Sequence, residues 1–167
     1  APVEPGTQII KCSYPAYRAA AESLEVLPDK TQYHLAIRLQ KEKTKLEKLS
    51  KGEWAWVSGA SGMGKTSLLK SLSGIYLPAR NGLPYATLEP LLGSTLEDGE
   101  ELILRKLSKL EGTYLFDSWE WIDQESQKVL RRLRDVLPNC TIIIASKEKA
   151  PFRVDLELEL SSLSKDD

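Results

Sequence analysis

One short run of glycine, lysine and threonine constrains this chain more than any other feature. Gly59-Ala60-Ser61-Gly62-Met63-Gly64-Lys65-Thr66 satisfies G-x-x-x-x-G-K-[ST] at every fixed position. Before it stands Trp54-Ala55-Trp56-Val57-Ser58, an apolar segment suited to a strand. After it comes Ser67-Leu68-Leu69-Lys70-Ser71-Leu72, with leucines at helical spacing. Strand, glycine loop and helix in that order turn successive backbone N–H groups towards an anion. Glycine accepts the backbone conformations that such a nest needs. The pattern therefore points to a phosphate-binding loop built from Gly59 through Ser67. Lys65 would reach the β- and γ-phosphates, and the Thr66 hydroxyl would complete the shell of a Mg²⁺ ion.

A Mg-nucleotide site also needs a carboxylate lifted to the edge of a sheet by a buried strand. Thr113-Tyr114-Leu115-Phe116-Asp117 supplies one, so Asp117 is the expected Mg²⁺-side acid. Hydrolysis further needs a group that orients water. Glu120 is the nearest acid and the candidate, the alternative being a solvated loop acid. Asp123 is next and can cap the following helix. Lys147 follows the strand Thr141–Ser146, where it is either a γ-phosphate sensor or a surface lysine. Trp54, Trp56, Trp119 and Trp121 read as core or interface residues. A Trp at the rim would be able to stack on a base, but nothing in the sequence selects one.

The remaining chain fits an α/β protein of one main domain. It has 167 residues and a net charge of −1, so it carries no basic footprint for nucleic acid. No apolar run approaches the roughly 20 residues needed to cross a bilayer. The start Ala1-Pro2-Val3-Glu4-Pro5 lacks the basic and apolar parts of a signal peptide and no initiator Met is present, which suggests a processed or excised piece. Cys12 and Cys140 make no disulfide framework, which fits a reducing, cytoplasmic setting. Cys140 leads into an apolar run and is expected to be a buried thiol.

Along the chain, residues 1–21 read as a tail or linker, 22–162 as the nucleotide-binding domain and 163–167 as a second tail. Ser23–Val26 and Tyr33–Leu39 are expected strands about the turn Pro28-Asp29-Lys30, because Tyr33, Leu35, Ile37 and Leu39 alternate. Lys41–Lys51 reads as a solvated connection. Residues 53–75 form the strand–loop–helix unit, and Pro78–Leu83 a loop. Thr95–Leu110 has helical patterning, with Leu102, Leu107 and Leu110 expected inside. Gln124–Leu137 is an amphipathic helix with Val129, Leu130, Leu133, Val136 and Leu137 inward and Arg131, Arg132 and Arg134 outward, stopped by Pro138. Ile142–Ile144 reads as a buried strand and Val154–Leu160 as a half-exposed one. The alternation predicts a three-layer α/β/α sheet with a small N-terminal antiparallel β element.

Read together, these segments resemble the nucleotide-binding domain of ABC transporters over about residues 22–160. The likeness rests on GEWAWVSGASGMGKTSLLKSLSGIYLPARNG, LPYATLEPLLGSTLEDGEEL and YLFDSWEWIDQESQKVLRRLRDVLPNCTIIIASKEKAP. The resemblance implies a P-loop NTPase fold with an antiparallel subdomain at 23–39. It implies ATP and Mg²⁺ as cofactors, with Gly59, Gly62, Gly64, Lys65 and Thr66 on phosphate and metal. It makes Asp117 the Walker B acid and Asp123 the D-loop acid. It further implies a membrane transport domain or a second nucleotide-binding domain as partner, at the cytoplasmic face of a membrane. The chain departs from that family at four places. Ser118 stands where the family has its catalytic glutamate, and Lys147 where it has its switch histidine. The Q-loop glutamine is absent or replaced by Tyr85. No L-S-G-G-Q signature or helical subdomain is present, Leu96–Glu100 being only an early echo.

Three activities remain open on the sequence. The first is a trimmed ABC-type ATPase using Lys65 and Glu120. The second is a module that binds nucleotide without turnover and gates a partner. The third, a small-molecule kinase, would need an arginine-rich lid, for which only Arg80 and Arg105 offer themselves. An AAA-type loader would need an arginine finger, for which Arg153 is the nearest residue.

Overall fold

The computed structural model describes residues 31–93, 99–136 and 139–161, with side chains from residue 37 onward. The expected strand Ser23–Val26, its turn, Cys12, Leu137, Pro138 and the tails lie outside the described residues. Residues 31–44 belong to one compact unit and residues 45–161 to another.

Thr31–Leu46, whose residues 31–44 fall in the first unit, forms helix α1 and not the strand expected at 33–39. The antiparallel element is thereby corrected. Leu35 and Leu39 satisfy a helical i, i+4 spacing as well as a strand alternation. The tie is decided by Gln40-Lys41-Glu42-Lys43, strong helix formers that carry the helix onward into the segment expected to be a connection.

The second unit is built on a five-stranded sheet in which every pairing is parallel. Its strands are β1 (Trp54–Gly59), β2 (Ile75–Pro78), β3 (Gly112–Asp117), β4 (Cys140–Ser146) and β5 (Leu156–Leu160), in the order β2-β3-β4-β1-β5. Helices α2 (Lys65–Lys70), α3 (Glu89–Leu92), α4 (Glu100–Leu107) and α5 (Gln124–Asp135) join them.

Alternation sorts the strand residues between two faces. Trp54, Trp56, Leu77, Tyr114, Phe116, Ile142 and Ile144 share one buried cluster with Ile103, Leu107, Val129, Leu130 and Leu133 of α4 and α5. Ala55, Val57, Leu115, Ile143 and Ala145 turn to the opposite face, and α2 packs on β1, β3 and β4 with Leu68 and Leu69 fully buried. Helices therefore flank both faces of the sheet. Three of the four tryptophans are core: Trp56, Trp119 and Phe152 meet edge to face with ring centroids 5.4–5.7 Å apart.

Three helix-face expectations are corrected. Leu102 is 43% exposed, because α4 turns Ile103, Leu104 and Leu107 inward. Val136 is 55% exposed, because α5 ends at Asp135. Arg134 does not face away: it is half-buried over the Trp54 ring, and its Nη2 donates to both Asp155 carboxylate oxygens, at 2.9 and 3.0 Å. Leu107 and Cys140 are buried as expected, and burial pushes the Cys140 thiol up.

Candidate functional site

Parallel pairing brings the carboxyl ends of the strands to one edge of the sheet, where clefts form in open α/β proteins. β1 ends at Gly59, β3 at Asp117 and β4 at Ser146. Because β4 lies between β1 and β3, its end enters the space between the glycine loop and Asp117. A cavity of about 270 Å³ opens there, lined by Ser61, Gly62, Gly64, Lys65, Thr66, Ser67, Asp117, Ser118, Glu120 and Lys147.

The loop owes its course to two kinds of glycine. Gly62 and Gly64 have φ of 82° and 84°, the left-handed region that favours glycine. Gly59 has φ of 154°, and a Cβ there would sit 2.5 Å from the Leu160 carbonyl oxygen, so β5 also demands a glycine. Helix α2 starts directly after Gly64. Lys65 curls back and donates to the carbonyls of Gly59 and of Ala60, the latter at 2.7 Å. An ammonium has three donors, so one remains. Burial holds the Lys65 pKa below its usual value, against Glu120 and Asp117, which pull it back up.

Opposite Lys65, Thr66 donates its hydroxyl to Asp117 Oδ2 at 2.7 Å across 51 residues of chain. Tyr76, on β2, donates to the same oxygen at 2.7 Å. Burial, and then the hydrogen bond to Asp117, push the Tyr76 phenol well up, so it stays a donor. Ser118 follows in the left-handed region at φ 59°, unusual for a residue with a Cβ. That bend starts a 3₁₀ turn over Trp119–Trp121, which buries Trp119 and leaves Glu120 lining the cavity.

The end of β4 holds Glu120 in place. Glu120 Oε2 accepts from the Ser146 hydroxyl at 3.1 Å and from the Lys147 backbone N–H at 3.3 Å. Lys147 Nζ lies 4.0 Å from the other carboxylate oxygen and 6.0 Å from the Trp121 ring centroid. The Trp56 indole donates to the Glu148 carbonyl at 2.8 Å and anchors this corner to β1.

The structure thus gathers Lys65, Thr66, Asp117, Glu120 and Lys147 around one cavity, whereas Gly59 and Ala60 contribute through the carbonyls that hold Lys65. Met63 does not line the cavity and is half-buried. Arg80, Arg105 and Arg153 do not line it either, and Arg80 pairs with Glu89 at 3.5 Å. Asp123 is buried in a structural role. It caps α5 by accepting from Ser126 N–H at 2.8 Å, and it accepts from Tyr85 N–H at 2.9 Å and Thr87 N–H at 3.2 Å. Trp121 is 57% exposed and does not line the cavity.

Sequence reasoning passed over Tyr76 and Ser146. Both sit at positions whose importance comes from strand order, which the local pattern does not carry. The short run Ile75-Tyr76-Leu77 before Pro78 was the one available sign of an edge strand.

Among the described residues no group of three or more His, Cys, Asp or Glu gathers as a metal cage. Magnesium seldom uses one: it takes one or two carboxylates and fills its shell with phosphate oxygens and water. Thr66 Oγ1 and Asp117 supply two hard oxygen donors beside the cavity, and that set fits. No protein-family model matches the chain, and no curated protein sequence matches it.

Proposed function

We propose that this chain binds Mg-ATP in the cavity between the glycine loop and Asp117 and hydrolyses it slowly, with Glu120 orienting the attacking water. The observation that carries the reading is the Thr66–Asp117 hydrogen bond. It joins the end of the glycine loop to a buried strand-end acid at 2.7 Å, beside a cavity that Lys65 and Glu120 also line.

In this reading the phosphates lie along residues 59–67. The remaining Lys65 donor meets a phosphate oxygen, and the two loop carbonyls hold the ammonium in place. Thr66 and Asp117 hold Mg²⁺, which when bound neutralises phosphate charge. Glu120, gripped by Ser146 and Lys147, presents its carboxylate to water from the side of β4. Lys147 adds positive charge at the same wall, a place for sensing a γ-phosphate.

The resemblance to ABC nucleotide-binding domains supports a role in driving a partner, either a membrane transport domain or a second nucleotide-binding domain. Only Ser108–Glu111 join α4 to β3, too few for a helical subdomain at that point. Turnover of the transporter kind would therefore need residues from elsewhere.

A second reading, nucleotide gating without turnover, is favoured by the engagement of Glu120. Its Oε2 already accepts two hydrogen bonds, and Ser118 follows Asp117 directly.

Calorimetry with Mg-ATP, run beside phosphate release, tests both on wild type, Lys65→Ala and Glu120→Gln. The proposal expects binding that Lys65→Ala removes, and slow release that Glu120→Gln removes while binding persists. Binding without release selects the gating reading. No binding by the wild type overturns both.

A further inference from the structure

We propose that Tyr76 is a positioning residue for the divalent cation, fixing the Asp117 carboxylate so that its free oxygen and the Thr66 lone pairs face the metal. The inference rests on the Mg-nucleotide reading above and concerns a residue that the glycine-loop motif does not contain.

Strand β2 pairs with β3 in a register that sets Tyr76 opposite Leu115 and Pro78 opposite Asp117. Leu77 points into the cluster beneath α4 and α5, so Tyr76 turns to the other face, where α2 packs. Lys70 of α2 lies 5.2 Å from the Tyr76 ring centroid and helps hold the ring there. The phenol then reaches Asp117 from the edge of the sheet, opposite in origin to Thr66, which comes from α2.

Two O–H groups thus donate to one carboxylate oxygen, each at 2.7 Å. Oδ2 has two lone pairs, so both are engaged. Among the described residues Oδ1 has only the Ser118 hydroxyl, at 3.5 Å, and is the oxygen left for a metal or its bound water. Thr66, with its proton committed to Asp117, keeps its own lone pairs for a cation. Carboxylate rotation about its last torsion is soft, so one hydrogen bond alone would define this arrangement poorly. Outer hydrogen bonds of this type orient metal ligands and tune affinity.

The test uses the full chain, with Tyr76→Phe as the variant, which keeps the ring and removes the hydroxyl. ATP binding is measured by calorimetry in EDTA and again across a Mg²⁺ titration. Mn²⁺ taken up with ATP is followed by electron paramagnetic resonance. We expect Tyr76→Phe to leave binding in EDTA unchanged and to raise the Mg²⁺ midpoint about tenfold, with an altered Mn²⁺ spectrum. An unchanged midpoint and spectrum overturn the inference while the Mg-nucleotide reading stands. Equal losses in EDTA and in Mg²⁺ mark a packing role and overturn it too. If wild type shows no Mg²⁺-dependent gain in ATP binding, the underlying reading falls and takes the inference with it.

Discussion

Ser146, at the end of β4, donates its hydroxyl to Glu120 at 3.1 Å and accepts from the Glu148 backbone N–H at 3.1 Å. The side chain is fully buried. Ser146→Ala removes a hydrogen bond to a carboxylate and strands a backbone N–H. The expected cost to stability is about 1–2 kcal/mol. Phosphate release should fall about tenfold, the equivalent of one such bond at 1.4 kcal/mol per decade. Mg-ATP affinity should hold, because Ser146 does not line the cavity. Single-turnover release beside calorimetry separates the two quantities. A parallel fall in affinity and rate would place Ser146 in binding and remove it from the support of Glu120.

Lys65 links binding to stability with a definite sign. Burial is the largest influence on it and holds its folded pKa below the usual 10.5. The unfolded chain therefore binds the proton more tightly, and the charged form costs the fold stability below the depressed pKa. That cost fades as pH rises through the folded pKa and vanishes above about 10.5. Lys65→Met removes this charge together with the bonds to the Gly59 and Ala60 carbonyls, and should abolish nucleotide binding. Relative to wild type, the melting temperature of the ligand-free variant should fall as the pH is raised from 7 towards 10, because the cost of the charged lysine fades in wild type alone. A difference independent of pH would mean that burial of the Lys65 charge does not bear on stability.

What was legible in the sequence and what was not divides along local and non-local lines. The strand at 54–59, the glycine loop, the strand ending at Asp117 and the α5 stripe each carry their signal within a dozen residues. Asp123 as a helix cap was legible for the same reason. The two strands read as continuous apolar runs because both their faces are buried, and the α5 stripe comes from burial of one face. Helix α1 was misread because apolar residues at 33, 35, 37 and 39 serve either period, and only the polar continuation breaks the tie. The phase of α4 was missed because Leu102, Ile103 and Leu104 are consecutive apolar residues, so the pattern leaves the inward face open. Tyr76 and Ser146 acquire their places only from the order β2-β3-β4-β1-β5, which depends on pairings between distant segments.

Gly59 and Gly62 stand in one loop but should fail differently on substitution. A Cβ on Gly59 would lie 2.5 Å from the Leu160 carbonyl oxygen, so β5 or β1 must move. Gly59→Ala is expected to cost about 2–3 kcal/mol, from overpacking added to an unfavourable φ. Among the described residues nothing lies within 4 Å of a Cβ on Gly62, whose φ of 82° leaves only backbone strain. Gly62→Ala should cost about 1 kcal/mol and act mainly on nucleotide binding. Urea unfolding gives the stabilities, and Mg-ATP calorimetry the affinities. Equal losses of stability for the two variants would show that the approach of β5 to the loop is not what constrains Gly59.

Asp123 offers the clearest separation of structure from chemistry. Its Oδ1 serves Ser126 at the start of α5 and Tyr85, a residue held at φ 61°, while Oδ2 serves Thr87. Asp123→Ala loses the cap and leaves two further N–H groups without an acceptor, for an expected cost of about 3–5 kcal/mol. Asp123→Asn keeps one oxygen acceptor and sets an amide N–H₂ against one of the backbone donors. Retaining the oxygen at the Oδ1 place preserves the cap and the Tyr85 bond and sacrifices Thr87. Hydrogen exchange should then show a protected Ser126 amide and a Thr87 amide that exchanges faster in Asp123→Asn, with both fast in Asp123→Ala. Phosphate release by the folded fraction of Asp123→Asn should match wild type, since Asp123 does not line the cavity. A slow but fully stable Asp123→Asn would instead give this acid a part in the chemistry, the part that the resemblance to ABC domains implies.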